Sequence, residues 1–180
     1  EEYCEVVYFE RTRNISSTIL REKNFNILKL GIVGTGRIAS RFIQESKYVS
    51  GINVESVYSR NQNRANEFVK KFELNAGFDD FTSFLASVDC VYIATEHERH
   101  FELAKLALVA KKHVLVEKPI CLDLKEVEEL INISKNNNLV LMEAIKTAYA
   151  PAFIKLMEIV KSGVLGKIID ISATFTKLIS

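Results

Sequence analysis

The 180-residue chain contains seven glycines, and Gly31, Gly34 and Gly36 crowd into one short stretch. They lie at the end of the mostly apolar run Ile27-Leu28-Lys29-Leu30-Gly31-Ile32-Val33, which has the length and composition of a buried parallel strand. From Arg37 to Tyr48 the apolar residues Ile38, Phe42, Ile43 and Val49 recur at helical spacing. Between strand and helix, Gly34-Thr35-Gly36-Arg37-Ile38-Ala39 spells G-x-G-x-x-A. In that context the first glycine permits a tight turn and the second leaves room for a pyrophosphate to approach the backbone. Ala39 is small enough for helix and strand to pack closely. The helix N-terminus adds free N–H groups and a partial positive charge. A glycine turn in a nucleotide-free domain is the bland alternative, and it leaves the placement of scarce glycines unexplained. The motif predicts a dinucleotide phosphate site at Gly34, Thr35, Gly36, Arg37 and Ile38.

The rest of the chain repeats strand and helix. Strands are expected at Val54–Tyr58, Val88–Ala94, His113–Val116 and Leu139–Met142, and helices at Ala65–Phe72, Phe101–Ala110 and Asp123–Lys135. On the helices, Leu103, Leu106, Ala107 and Ala110 form one inward face, and Leu124, Val127, Leu130 and Ile131 another. Repeated β-α units imply an α/β fold, a doubly wound parallel sheet with helices on both faces. This predicts a Rossmann-type domain over residues 26–150. Residues 151–180 read as a helix, Ala152 to Lys161, then a long strand, Lys167 to Thr176, that begins a further, truncated α+β domain. Residues 1–25 add a strand at Val6–Phe9 without a partner, so the chain reads as a segment of something longer.

Cofactor choice falls to the end of the second strand, Tyr58-Ser59-Arg60. An Asp or Glu there accepts a hydrogen bond from a ribose 2′-hydroxyl and repels a 2′-phosphate. A hydroxyl and a guanidinium suit the 2′-phosphate instead, and Arg64 lies one turn later. Ser59 and Arg60 therefore predict NADP in preference to NAD, with NAD possible. A net charge of +1 leaves no electrostatic footprint for nucleic acid or an anionic membrane. No apolar run approaches the roughly 20 residues that span a bilayer. The acidic start, Glu1 to Glu5, lacks the layout of a signal peptide. Cys4, Cys90 and Cys121 are odd in number and widely spaced, as expected of free thiols in a cytoplasmic protein.

Glu117-Lys118-Pro119 follows the strand His113–Val116, and Pro119 ends that strand. Lys118 is thus expected at the carboxyl edge of the sheet, where ligands bind in this fold class. A lysine there can relay a proton beside a carbinol carbon. The glycine loop, Ile93-Ala94-Thr95-Glu96-His97-Glu98-Arg99-His100, the E-K-P corner and Leu141-Met142-Glu143-Ala144-Ile145-Lys146-Thr147 with Pro151 occur in order. In this combination, over roughly residues 27–178, the chain resembles the Gfo/Idh/MocA oxidoreductases, and within them the dihydrodiol and xylose dehydrogenase branch.

The resemblance implies a Rossmann domain followed by an open mixed sheet carrying substrate and dimer contacts. It implies a small sugar, polyol or diol as substrate and a homo-oligomer formed through the C-terminal sheet. It places Thr95, Glu96 and His97 along the nicotinamide ribose and Glu117 and Lys118 at the nicotinamide, with Lys118 catalytic. His100 matches a family histidine for which a local structural hydrogen bond is the expectation. At Ala148, family members often carry Arg or another polar cofactor contact; Lys146 is nearby. The family's second proton-transfer group lies on the later sheet. The chain is therefore expected to hold cofactor contacts and Lys118 without a complete substrate site.

Residues 3–20 resemble something else. A short strand followed by Arg11-Thr12-Arg13-Asn14-Ile15-Ser16-Ser17-Thr18 is similar to the C-terminal signature of glycerol-3-phosphate-type cytidylyltransferases. That similarity implies a bifunctional parent with a cytidylyltransferase domain ahead of the oxidoreductase. The alternative from another class is a non-catalytic nucleotide-binding or regulatory module attached to a cytidylyltransferase.

Overall fold

The computed structural model describes residues 27–174. Val6–Phe9 and the cytidylyltransferase-like stretch lie outside them. The chain divides between Ala144 and Ile145 into two compact units.

Over its described residues the first unit alternates strand and helix. In chain order it contains β1 (Leu28–Val33), α1 (Arg37–Ser46), β2 (Ile52–Tyr58), α2 (Gln62–Phe72), β3 (Ala76–Phe78), α3 (Phe81–Ala86) and β4 (Cys90–Ile93). A single 3₁₀ turn (His97–Arg99), α4 (His100–Val109), β5 (His113–Val116), α5 (Leu124–Asn136) and β6 (Leu141–Glu143) complete it. The six strands are parallel, in the order β3-β2-β1-β4-β5-β6. The order reverses direction between β1 and β4, which opens a crevice beyond their carboxyl ends.

Strand alternation sends side chains to two cores. Leu30, Ile32, Val57 and Tyr92 pack with Ala39 and Ile43 of α1 and Ala65 and Phe68 of α2. Val33, Val91, Ile93, Val114 and Val116 point the other way, into Phe84, Leu103, Ala107, Leu108 and Leu130 of α3, α4 and α5. Burying each large side chain stabilises the fold by about 1.5–3 kcal/mol. Gly31 is needed in the middle of β1 because a β-carbon there would lie 2.4 Å from the ring of Phe84. Asn61, Asp80 and Asp123 cap α2, α3 and α5, each accepting a backbone N–H.

Some expectations need correction. β3 and α3 escape a periodicity reading because Ala76-Gly77-Phe78 is too short to alternate; its register comes from β2, with Ser56 beside Ala76 and Tyr58 beside Phe78. Leu106, Ala110, Leu124 and Ile131 are exposed rather than inward. Packing of α4 against both β5 and α5 selects Leu103, Ala104, Ala107 and Leu108 instead.

The second unit contains a 3₁₀ turn (Lys146–Tyr149) and α6 (Pro151–Lys161), with proline at the first helical position. The strand expected at Lys167–Thr176 is not formed over residues 167–174, which are exposed and carry no regular structure. A strand needs a neighbour for its N–H and C=O groups, and this segment pairs with no strand among the described residues. Phe175 and Thr176 lie outside those residues.

Candidate functional site

Parallel strands deliver their carboxyl ends to one edge of the sheet, so residues far apart in sequence converge there. Gly34 follows β1 with φ of +109°, and its N–H donates to the Tyr58 carbonyl at 2.9 Å. A β-carbon on Gly34 would come within 2.5 Å of the Ala94 carbonyl oxygen. The glycine turn is thus held between the ends of β2 and β4. Gly36 is the N-cap of α1, no side chain caps that end, and nothing lies within 4 Å of where its β-carbon would stand. The first N–H groups of α1 therefore adjoin open space, the arrangement that suits a phosphate.

That space belongs to a cleft of about 660 Å³. Of the residues expected from sequence, Gly34, Thr35, Gly36, Ser59, Arg60, Thr95 and Glu96 line it. Arg37, Ile38, His97, Glu117 and Lys118 do not. The charged residues of the lining are mainly cationic, with Arg60, Arg64, Lys71 and Arg99 against Glu67 and Glu96. Asn61, Lys71 and Arg99 join the site without a motif that marks them. Arg64 and Lys71 stand seven residues apart, two turns along one face of α2, a spacing that reveals them once the helix start is known. Arg99, on the 3₁₀ turn, has no such local signature. Asn61 shapes the corner: its side chain accepts from the Arg64 N–H at 3.1 Å, and its own N–H donates to the Ser59 hydroxyl at 3.4 Å. The Arg60 guanidinium meets the Glu96 carboxylate at 3.4 Å.

The Glu-Lys-Pro corner sits beyond β5. The Glu117 N–H donates to the Ile93 carbonyl at 2.9 Å. One carboxylate oxygen of Glu117 accepts from the Tyr92 hydroxyl at 2.6 Å, the other from the Lys118 N–H at 3.3 Å. Tyr92 is itself buried and stacked on Phe42 at 3.9 Å between ring centres. Burial pushes the Tyr92 phenol well above its ordinary range, and the hydrogen bond and charge of Glu117 push it further. The Tyr92 hydroxyl accordingly stays a proton donor. Lys118 is exposed, and its peptide bond to Pro119 is cis.

His100 ties this corner to the loop after β4. It is fully buried, with Nδ1 at 2.7 Å from the Pro119 carbonyl and Nε2 at 3.3 Å from the Thr95 carbonyl. Both partners are carbonyl oxygens, which only accept, and the shorter contact is the one to Pro119. The hydrogen bond of His100 to Pro119 is structural rather than the local one expected: it reaches across nineteen residues of sequence. On the far side, the Ile120 N–H donates to Glu143 at the end of β6 at 2.8 Å. Lys118 therefore stands on a loop anchored at Glu117, Pro119 and Ile120. Among the described residues no group of three or more His, Cys, Asp or Glu side chains is placed to hold a metal ion, and no helix is long and apolar enough to cross a membrane.

The model of the Gfo/Idh/MocA oxidoreductase family, with an NAD-binding Rossmann fold, matches residues 28–145. The chain belongs to this family. Among its curated members, a scyllo-inositol 2-dehydrogenase (NADP(+)) from Bacillus subtilis is 39% identical over 132 residues, covering 72% of this chain and 40% of that protein. A trans-1,2-dihydrobenzene-1,2-diol dehydrogenase from Mus musculus is 35% identical over 143 residues, covering 77% and 43%. The dihydrodiol part of the expected resemblance thus recurs. Among solved structures, a 3-ketoreductase from Actinomadura kijaniata in complex with NADP and TDP-benzene superposes with a TM-score of 0.70 at 28% identity, covering 77% of this chain and 43% of that one. The chain spans less than half the length of these family members.

Proposed function

We propose that this chain binds NADP(H) in the cleft beyond β1, β2 and β4, as the cofactor-binding part of a family oxidoreductase acting on a small sugar, polyol or diol. The observation that carries the cofactor choice is Ser59-Arg60 in the cleft lining where an acidic residue would select NAD. The uncapped end of α1, the open space at Gly36 and the cationic lining support a pyrophosphate in the same cleft. The B. subtilis relative's NADP(+) in its name and the NADP bound to the ketoreductase agree with this choice.

A bound nicotinamide dinucleotide supplies the hydride acceptor or donor. The protein's part is binding, orientation and proton movement. Lys118, on its anchored loop, relays the proton at the substrate hydroxyl oxygen and stabilises negative charge there. Glu117, held by Tyr92, fixes the start of that loop. The same reading takes residues 26–150 as the cofactor-binding domain, 151–180 as the start of a substrate domain that forms the oligomer contacts, and 1–25 as the tail of an upstream cytidylyltransferase domain. That last assignment rests on residues 3–20 alone.

Titration of NADPH and NADH against the protein by nicotinamide fluorescence tests the cofactor assignment. NADPH binds more tightly, and Arg60→Asp reverses the order. Equal affinities, or tighter NADH, refute it. One observation favours a nucleotide-binding module without chemistry: Lys118 lies outside the cleft lining. The two readings separate in the whole protein. Lys118→Ala lowers kcat by a factor on the order of 10²–10⁴ if Lys118 moves the proton, whereas unchanged turnover removes it from catalysis.

A further inference from the structure

The strand order places β1 between β2 and β4. Arg60, just past β2, and Glu96, just past β4, therefore stand on either side of the glycine turn that follows β1. Their side chains meet at 3.4 Å, and both line the cleft. The family resemblance put Glu96 along the nicotinamide ribose; in the structure its carboxylate meets the guanidinium expected to read the 2′ position.

We propose that Glu96 is a second cofactor-selecting residue, an internal carboxylate that competes for Arg60 and holds down the preference for NADP(H). This rests on the reading of Arg60 as the 2′-phosphate partner. Both side chains are 64% exposed, so the pair contributes little to stability and exchanges readily. A 2′-phosphate entering beside Arg60 must displace the Glu96 carboxylate and then remain near a like charge. A ribose 2′-hydroxyl meets the opposite situation, because a carboxylate accepts its hydrogen bond. One ion pair thus offers each cofactor one favourable partner: the guanidinium for the phosphate, the carboxylate for the hydroxyl. Arg64 and Lys71 also line the cleft. The pair selects by competition, which leaves NAD(H) usable at a disadvantage.

The test is a set of fluorescence titrations of NADPH and NADH against the wild-type protein, Glu96→Gln, Arg60→Gln and the double variant, at low and high salt. Glu96→Gln keeps the shape and removes the charge. It is expected to tighten NADPH about three- to fivefold, the scale of an exposed ion pair, and to leave NADH unchanged or weaker. The gain shrinks at high salt and is smaller when Arg60 is already Gln, where only the like charge of Glu96 is removed. If Arg60→Gln weakens NADPH but Glu96→Gln leaves it unchanged or weaker, the competition is overturned while the 2′-phosphate reading stands. If Arg60→Gln leaves NADPH unchanged, both fall together.

Discussion

The Tyr92 hydroxyl donates to Glu117 across 2.6 Å, from a ring stacked on Phe42 in the core beneath α1. It connects the interior of the sheet to the first residue of the Glu-Lys-Pro corner. Tyr92→Phe keeps the ring and removes the donor, leaving a half-buried carboxylate oxygen short of a partner. The expected cost is about 1–3 kcal/mol in urea unfolding. Glu117→Ala in the Tyr92→Phe background should add less than it does alone, because both substitutions remove the same bond. Additive effects would show that the contact contributes nothing of its own.

His100 predicts a local effect. His100→Ala takes the imidazole away from the half-buried Pro119 carbonyl and opens a cavity between two loops. Hydrogen exchange across residues 117–120 should accelerate strongly, while the α2 amides keep their protection. His100→Asn, which retains an N–H on a short side chain, should recover part of that protection. Uniform acceleration throughout the sheet would mean that His100 supports the whole core rather than this loop.

Gly34 and Gly36 should fail differently. Gly34→Ala places a β-carbon 2.5 Å from the Ala94 carbonyl at a φ of +109°, so stability falls by more than about 2 kcal/mol. Gly36→Ala meets open space and should leave the melting temperature nearly unchanged while weakening NADPH by about tenfold or more. Calorimetry and fluorescence titration together separate the two. Unimpaired NADPH binding by a folded Gly36→Ala protein would remove Gly36 from the phosphate site.

Alkaline solution should destabilise the fold through its thiols. Burial, reinforced by Asp89, pushes Cys90 up to about 11, and burial with Glu126 and Glu143 does the same for Cys121. Both folded-state values lie above the ordinary thiol value of 9.0. The folded protein therefore keeps protons that the unfolded chain releases, and stability falls as pH rises from about 9 to 11. Urea midpoints measured across that window should decline, and Cys90→Ala should flatten the decline. A Cys90→Ala profile parallel to wild type would place the titrating groups elsewhere.

Much of the fold is legible in the chain because its signals are local. An apolar run, glycines at a turn and Asp123 at a helix start each act within a few residues, so β1, α1 and α5 follow from sequence. β3 does not, because three residues hold no periodicity and its pairing comes from β2. Nor does the Lys167–Thr176 expectation hold over residues 167–174: β-prone composition makes a strand only where another strand accepts its hydrogen bonds.

The candidate site divides the same way. Gly34, Gly36, Ser59 and Arg60 are legible because each lies at the end of a strand, and strand ends are where ligands collect in a parallel sheet. The sequence alone determined that a glycine turn follows β1 and that the second strand ends without an acidic residue. Only the tertiary structure decided that Glu96 faces Arg60 across thirty-six residues of chain, and that His100 reaches Pro119 rather than its own helix. Sheet order, not chain order, sets those neighbours: β4 lies against β1 because burying both faces of the sheet rewards that packing, and no local pattern records it.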